Sequence, residues 1–254
     1  MKHSPCLPAP YLRRIWIDQA GPIEKDTYPF TVPLFAKGKF EFSFERAITI
    51  IVGENGTGKS TLLEAIAGLV GFDQSGGGNG YRPMDHSRSL EKSGDVLGRH
   101  FRASWLPKVT SGWFFKAETF FSVARYLDTA ALDADKPPPD FLSHSHGEGF
   151  LRFFHERCQR RGVFIFDEPE AALSPHRQLE FLKLLKDIHR AGQAQIVIAT
   201  HSPLLMAFPD ASLWEIKRDR LDSIQFRQTS HYEIYRGFFE NPERYLMQAM
   251  EDED

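Results

Sequence analysis

Eight consecutive residues, Gly53-Glu54-Asn55-Gly56-Thr57-Gly58-Lys59-Ser60, carry the most specific chemistry in this chain of 254 residues. Their pattern, Gly-x-x-x-x-Gly-Lys-Ser, stands between a continuous apolar run and a segment of helical period, the setting in which such a loop cradles phosphate. Gly53, Gly56 and Gly58 let the backbone take dihedrals that other residues avoid, so successive N–H groups turn toward phosphate oxygens. A helix beginning near Lys59 adds its positive end, and the Lys59 ammonium reaches the β- and γ-phosphates of a nucleotide. Ser60 offers its hydroxyl to Mg2+. On its own the loop serves a kinase, a GTPase or an ATPase equally well.

A pair of carboxylates narrows the choice. Asp167 and Glu168 end the apolar run Val163-Phe164-Ile165-Phe166. Asp167 can hold Mg2+ through water between the β- and γ-phosphates, and Glu168 can orient and deprotonate an attacking water. Ligands of α/β sheets bind at the carboxyl ends of the strands, so loop and carboxylates belong at one edge, and hydrolysis accounts for them better than binding alone. His201 follows a third apolar run, Ile196-Val197-Ile198-Ala199, where a neutral imidazole would hydrogen-bond a γ-phosphate.

The elements that must position these groups follow from period and punctuation. Residues 11–17 and 40–44 read as strands, the second with Phe40, Phe42 and Phe44 on one face. Residues 47–52 read as a buried strand. The next segment, 60–67, reads as a helix with Leu62, Leu63 and Ile66 inward and Gly68 as its C-terminal cap. A helix over 149–161 and buried strands over 163–166 and 195–199 come next. Ser174 and Pro175 open a helix in which Leu179, Leu182, Leu185 and Ile188 form an apolar stripe ending at Gly192. Two short aromatic-rich helices are expected over 231–250. Residues 71–149 read as an inserted helical lobe. It is glycine-rich at 75–80, carries Trp113-Phe114-Phe115 and Phe120-Phe121 ahead of a helix to about residue 127, and is punctuated by Pro137-Pro138-Pro139. The whole predicts a single α/β domain over 1–254, with a mainly parallel sheet flanked by helices, an N-terminal antiparallel β portion and that lobe.

Composition excludes little else. A net charge of -3 gives no global basic field, although Arg157, Arg160 and Arg161 form either a local cluster for DNA or a solvated helix face. Cys6 and Cys158 make neither a disulfide framework nor a metal site by spacing. His144 and His146 have no further ligand at metal spacing. No signal peptide and no bilayer-length apolar run is read, and the expectation is a soluble, cytoplasmic protein.

From about residue 47 to 203 the order of these motifs resembles the ATP-binding cassette superfamily. His144-Ser145-His146-Gly147-Glu148 looks like its Leu-Ser-Gly-Gly-Gln signature, departing at His144, His146 and Glu148 and keeping Ser145 and Gly147. Residues 163–168 stand as Walker B, Ala171-Ala172-Leu173-Ser174 in place of the D-loop, and His201 as the switch histidine. Ser145-x-x-Glu148 is also a capping box, which explains those two residues without a nucleotide.

The resemblance implies a P-loop NTPase fold with ATP and Mg2+ as cofactors. Gly53, Glu54, Asn55, Gly56, Thr57, Gly58, Lys59, Ser60 and Thr61 would lie on the nucleotide, Ser60 and Asp167 on Mg2+, and Lys59, Glu168 and His201 in catalysis. Ser145 and Gly147 would meet ATP held by a second subunit, and one copy of each motif implies a homodimer that closes on ATP. The family's Q-loop glutamine is missing; Lys116 or Glu118 stands in its place. Tyr28 or Phe30 would either stack on adenine or belong to the core. The unorthodox signature and Thr200-His201-Ser202-Pro203 resemble stand-alone AAA, RecF, SMC and OLD-like ATPases. The alternatives are a transporter's nucleotide-binding subunit, docked on a separate membrane protein through the aromatic segment 113–121, and a regulatory module without turnover, which Glu168 opposes.

Overall fold

The computed structural model describes residues 7–18, 26–74, 76–79, 98–120, 124 and 146–251. Along the chain run β1 (Leu12–Ile17), β2 (Glu41–Ser43), β3 (Ile48–Val52), α1 (Lys59–Val70), β4 (Phe101–Trp105), β5 (Gly112–Lys116), α2 (His146–Arg157), β6 (Gly162–Asp167) and α3 (Pro175–Ala191). Then come β7 (Ala194–Ala199), a short α4 (Pro203–Met206), β8 (Ser212–Lys217), β9 (Arg220–Ser223), α5 (Ser230–Glu240) and α6 (Pro242–Glu251). The main sheet has the order β5-β6-β7-β3-β8-β9, parallel except for the β8–β9 hairpin at its edge. A second, antiparallel sheet has the order β2-β1-β4.

Both faces of the parallel sheet are covered, which is why its strands read as unbroken apolar runs. Side chains alternate across it. Ile51, Val163, Ile165, Val197 and Phe114 join α1 and the small sheet in one core, whereas Ile50, Phe164, Phe166, Ile198 and Phe115 pack against the phenylalanines of α2 and α3 in the other. One buried amide ties the small sheet to the large one. The Gln195 side chain accepts from the N–H groups of Tyr11 and Leu12 at 2.8 and 2.7 Å and donates to Leu12 O at 3.0 Å.

Several boundaries differ from expectation for local reasons. Helix α1 continues past Gly68 to a cap at Gly71, at φ 97°, because Val70 still buries its side chain one turn after Ile66. Helix α2 begins at 146 rather than 149. In α3 the buried stripe is Gln178, Phe181, Leu185 and Ile188, while Leu179 is 47% exposed, so the stripe starts one residue earlier than apolar character suggests. Within 71–149, residues 101–105 and 112–116 are strands, one in each sheet. The apolar run of the second is only three residues, too short to tell a strand from a buried helix segment. Residues 121–123 and 125–145, with the predicted helix end and the three prolines, lie outside the described residues.

Candidate nucleotide site

The loop between β3 and α1 turns through left-handed backbone at Gly56 and Gly58, with φ of 75° and 105°. A Cβ at Gly58 would stand 2.6 Å from Val32 Cγ1, so this position excludes other residues on both counts. Thr57 Oγ1 donates to Glu54 O at 2.8 Å. The buried Lys59 ammonium donates to Gly53 O at 2.8 Å and Glu54 O at 3.1 Å, closing the loop on itself. Burial lowers its pKa, and the Glu168 and Asp167 carboxylates oppose that shift. Glu54, Asn55 and Gly56 are exposed, and Thr61 is half-buried behind them. Residues 53–57 line a cleft of about 1060 Å³ whose far wall includes Lys217, Arg218, Arg220 and Ser230.

Pairing β3, β6 and β7 side by side brings their carboxyl ends to this loop. Ser60 Oγ donates to Asp167 Oδ1 at 3.2 Å. Asp167 is only 6% exposed, and burial pushes its carboxyl up to about 6 despite the Lys116 ammonium and the Ser60 hydrogen bond. Among the described residues no cluster of three or more His, Cys, Asp or Glu is arranged to hold a metal. Mg2+ in phosphate-transfer sites takes one or two protein ligands and completes its shell with phosphate and water oxygens, and the Ser60–Asp167 pair has the donor chemistry of such a partial set.

The β5–β6 register places Lys116 opposite Asp167. Lys116 Nζ lies 2.9 Å from Glu64 Oε1 and 4.0 Å from Asp167 Oδ2. Burial alone would lower its pKa, but Glu64, with help from Asp167 and Glu118, outweighs burial and raises it. Tyr28 Oη donates to the other Glu64 oxygen at 3.2 Å, and burial lifts the Tyr28 pKa to about 12. Phe30 is 2% exposed and packs edge-on to His100, a core position rather than a platform for adenine. Glu118 is exposed.

Glu168 sits in the left-handed region at φ 50°, ψ 54°, held there by its N–H donating to Ala199 O at 2.9 Å and by the short 3-10 turn after it. Its Oε1 is 3.7 Å from His201 Nε2. The backbone N–H of His201 donates to Glu170 Oε1, and Ser202 caps α4, so the loop after β7 is pinned on both sides. His201 Nδ1 lies 3.3 Å from His231 Nε2 at the start of α5. Burial, and then the charge of Lys59, lower the His201 pKa, which favours a neutral ring. Glu170, Glu64 and His231 were not singled out from the sequence. Glu170 had a signal, as the third carboxylate of Asp-Glu-Pro-Glu, but His231 had none.

Ser145 lies outside the described residues. Gly147 is in the first turn of α2, where the atoms nearest a Cβ belong to Arg177 and Ala172 and not to the phosphate loop. The Glu148 carboxylate pairs with Arg177, which also holds Glu180 at 2.7 Å. Of the basic cluster, Arg157 lies over the rings of Trp113 and Phe153 and Arg161 over Tyr11; Arg157 and Arg160 are exposed and Arg161 is half-buried. No helix among the described residues is long and apolar enough to cross a membrane.

Residues 129–207 match the family described as "AAA domain, putative AbiEii toxin, Type IV TA system", and residues 33–112 match one described as "AAA domain". The cytochrome c biogenesis ATP-binding export protein CcmA of Rhodopseudomonas palustris is 30% identical over 162 residues, 62% of this chain and 79% of that protein. A "Putative ABC transporter ATP-binding protein" of Bacillus cereus is 25% identical over 171 residues, 60% of this chain. The match spans 30% of that relative's length. The solved structure of cbiO1 from Clostridium perfringens, part of the ABC transporter complex cbiONQ, is 19% identical with a TM-score of 0.44, covering 94% of this chain and 99% of that one.

Proposed function

Since this chain belongs to the ATP-binding cassette ATPases, enzymes that hydrolyse ATP, we propose that it works as a stand-alone ATPase whose two copies close on ATP and part after hydrolysis. The observation that carries the reading is the convergence of Lys59, Ser60, Asp167, Glu168 and His201 from three adjacent strand ends. Gly53, Gly56 and Gly58 shape the cradle, and Lys59 exchanges its loop carbonyls for phosphate oxygens. Ser60 and Asp167 would hold Mg2+, which when bound would supply positive charge against the phosphates. Glu168, nearly half exposed and beside neutral His201, takes the proton of the attacking water while His201 donates to the γ-phosphate. Gly147, in the first turn of α2, and Ser145 would complete the partner's site, where free helix N–H groups suit an anion.

The stand-alone reading draws on both AAA-domain matches and on Thr200-His201-Ser202-Pro203. Likeness to a protein named as an ATP-binding export protein favours a second reading, a transporter's nucleotide-binding subunit. Phosphate release by the purified chain separates them: turnover without any partner supports the first, and turnover only with a membrane subunit supports the second. Glu168→Gln is expected to bind ATP, lose turnover and accumulate as a dimer. Size-exclusion chromatography that finds only monomer with ATP defeats the two-copy site, and unchanged turnover in Lys59→Ala defeats the phosphate-loop assignment.

A further inference from the structure

Two imidazoles meet behind the candidate catalytic carboxylate. His201, on the loop after β7, turns Nε2 toward Glu168 at 3.7 Å and Nδ1 toward His231 Nε2 at 3.3 Å, with the ring centroids 5.5 Å apart. His231 is carried by α5, which is fixed in place by Thr229. That residue is fully buried, caps the helix by accepting from Tyr232 N at 3.1 Å and donates to Phe226 O at 2.8 Å. The outer nitrogens of the pair, His201 Nε2 and His231 Nδ1, are both buried and make no hydrogen bond. The shared contact is thus the one hydrogen bond available to either ring.

Two neutral rings hold two protons on four nitrogens. One proton must lie in the shared N–H···N bond. If His201 donates it, His201 Nε2 is a bare lone pair facing the acceptor-only carboxylate of Glu168, which is repulsive. If His231 donates it, His201 Nε2 carries its proton toward Glu168, and the lone pair is left on His231 Nδ1. The second arrangement is the lower in energy, because the Glu168 oxygens accept and never donate when ionised. Burial lowers the pKa of both histidines, in keeping with two neutral rings.

We infer that His231 is a positioning residue that, by donating from Nε2 to His201 Nδ1, holds His201 as the Nε2–H tautomer aimed at Glu168 and at whatever oxygen lies beside it. The consequence for catalysis rests on the proposed ATPase reading, in which that N–H meets the γ-phosphate. Helix α5 then belongs to the reaction machinery.

The test has two arms. In nucleotide-free protein carrying 15N-labelled histidine, the long-range nitrogen–proton spectrum of His201 should show Nε2 protonated and Nδ1 bare; a protonated Nδ1 overturns the inference whether or not the protein hydrolyses ATP. In phosphate release, His231→Phe should lower kcat on the order of tenfold with KM changed much less, the size expected for an outer partner of a reacting group. His231→Gln, whose amide N–H2 reaches a similar point, should recover most of it. Equal kcat for His231→Phe and wild type, or no difference between the two variants, overturns the positioning role. Lys59→Ala tests the ATPase reading separately, so the two can fail independently.

Discussion

Lys116 and Glu64 hold one another at 2.9 Å across the base of the candidate site, and the same ammonium stands 4.0 Å from Asp167. One cation thus faces two carboxylates, each less than a fifth exposed. Lys116→Met should cost about 2–3 kcal/mol, below the range for fully buried pairs because some solvent reaches this one. A double-mutant cycle with Glu64→Leu, read by urea denaturation, should give a coupling of at least about 1 kcal/mol. Simple additivity would reduce the pair to an incidental contact.

Asp167 gives a pH dependence of definite sign. Its folded pKa is about 6 against an ordinary 3.8. Between those values the folded protein keeps a proton that the unfolded chain has lost, so stability falls as pH rises through the window. Above it, the charged carboxylate costs about 3 kcal/mol. Without nucleotide and Mg2+, Asp167→Asn should therefore be more stable than wild type at pH 8 and lose this slope. Urea midpoints at several pH values between 4 and 8 measure it, and parallel curves for the two proteins would count against the burial penalty.

What could be read in advance, and what could not, follows from range. Residues 53–60 and the Asp167-Glu168 pair announce themselves because their chemistry is local: spacing along the chain is the geometry. The apolar runs at 48–52, 162–167 and 194–199 were legible because a sheet covered on both faces leaves no polar alternation to confuse them. Strand β5 was not, since its apolar run is only the three residues Trp113-Phe114-Phe115, too short to tell a strand from a buried helix segment. His231 comes thirty residues after His201, and Lys116 fifty-two after Glu64, so no pattern along the sequence links either pair.

The loop itself can be tested at Gly58. An alanine there would have to adopt φ near 105° and would push a Cβ within 2.6 Å of Val32 Cγ1. Gly58→Ala should lose about 1–3 kcal/mol of stability from left-handed strain and the clash together, and ATP affinity should fall at least about tenfold. Adding Val32→Ala removes the clash but not the strain, so it should restore stability in part while affinity stays low. Calorimetric titration with ATP and thermal unfolding separate the two effects; full recovery of affinity would mean that the backbone angle is not what matters.

Gln195 carries the last prediction, and it concerns how the site is held rather than what it does. Its amide is fully buried in β7 and makes three hydrogen bonds to the backbone of Tyr11 and Leu12, where β1 begins. Leucine is close in volume, so Gln195→Leu creates no cavity to speak of. It would, however, deprive the N–H groups of Tyr11 and Leu12 and the carbonyl of Leu12 of these partners, at about 1–3 kcal/mol for each group that finds no replacement. A loss of about 3–5 kcal/mol is expected, with the small sheet loosening before the large one. Hydrogen exchange should then show faster opening of β1, β2 and β4 than of β3, β6 and β7, with ATP binding retained wherever the protein stays folded. A loss below about 1 kcal/mol, or uniform loosening of both sheets, would show that the Gln195 hydrogen bonds are not what joins the two layers.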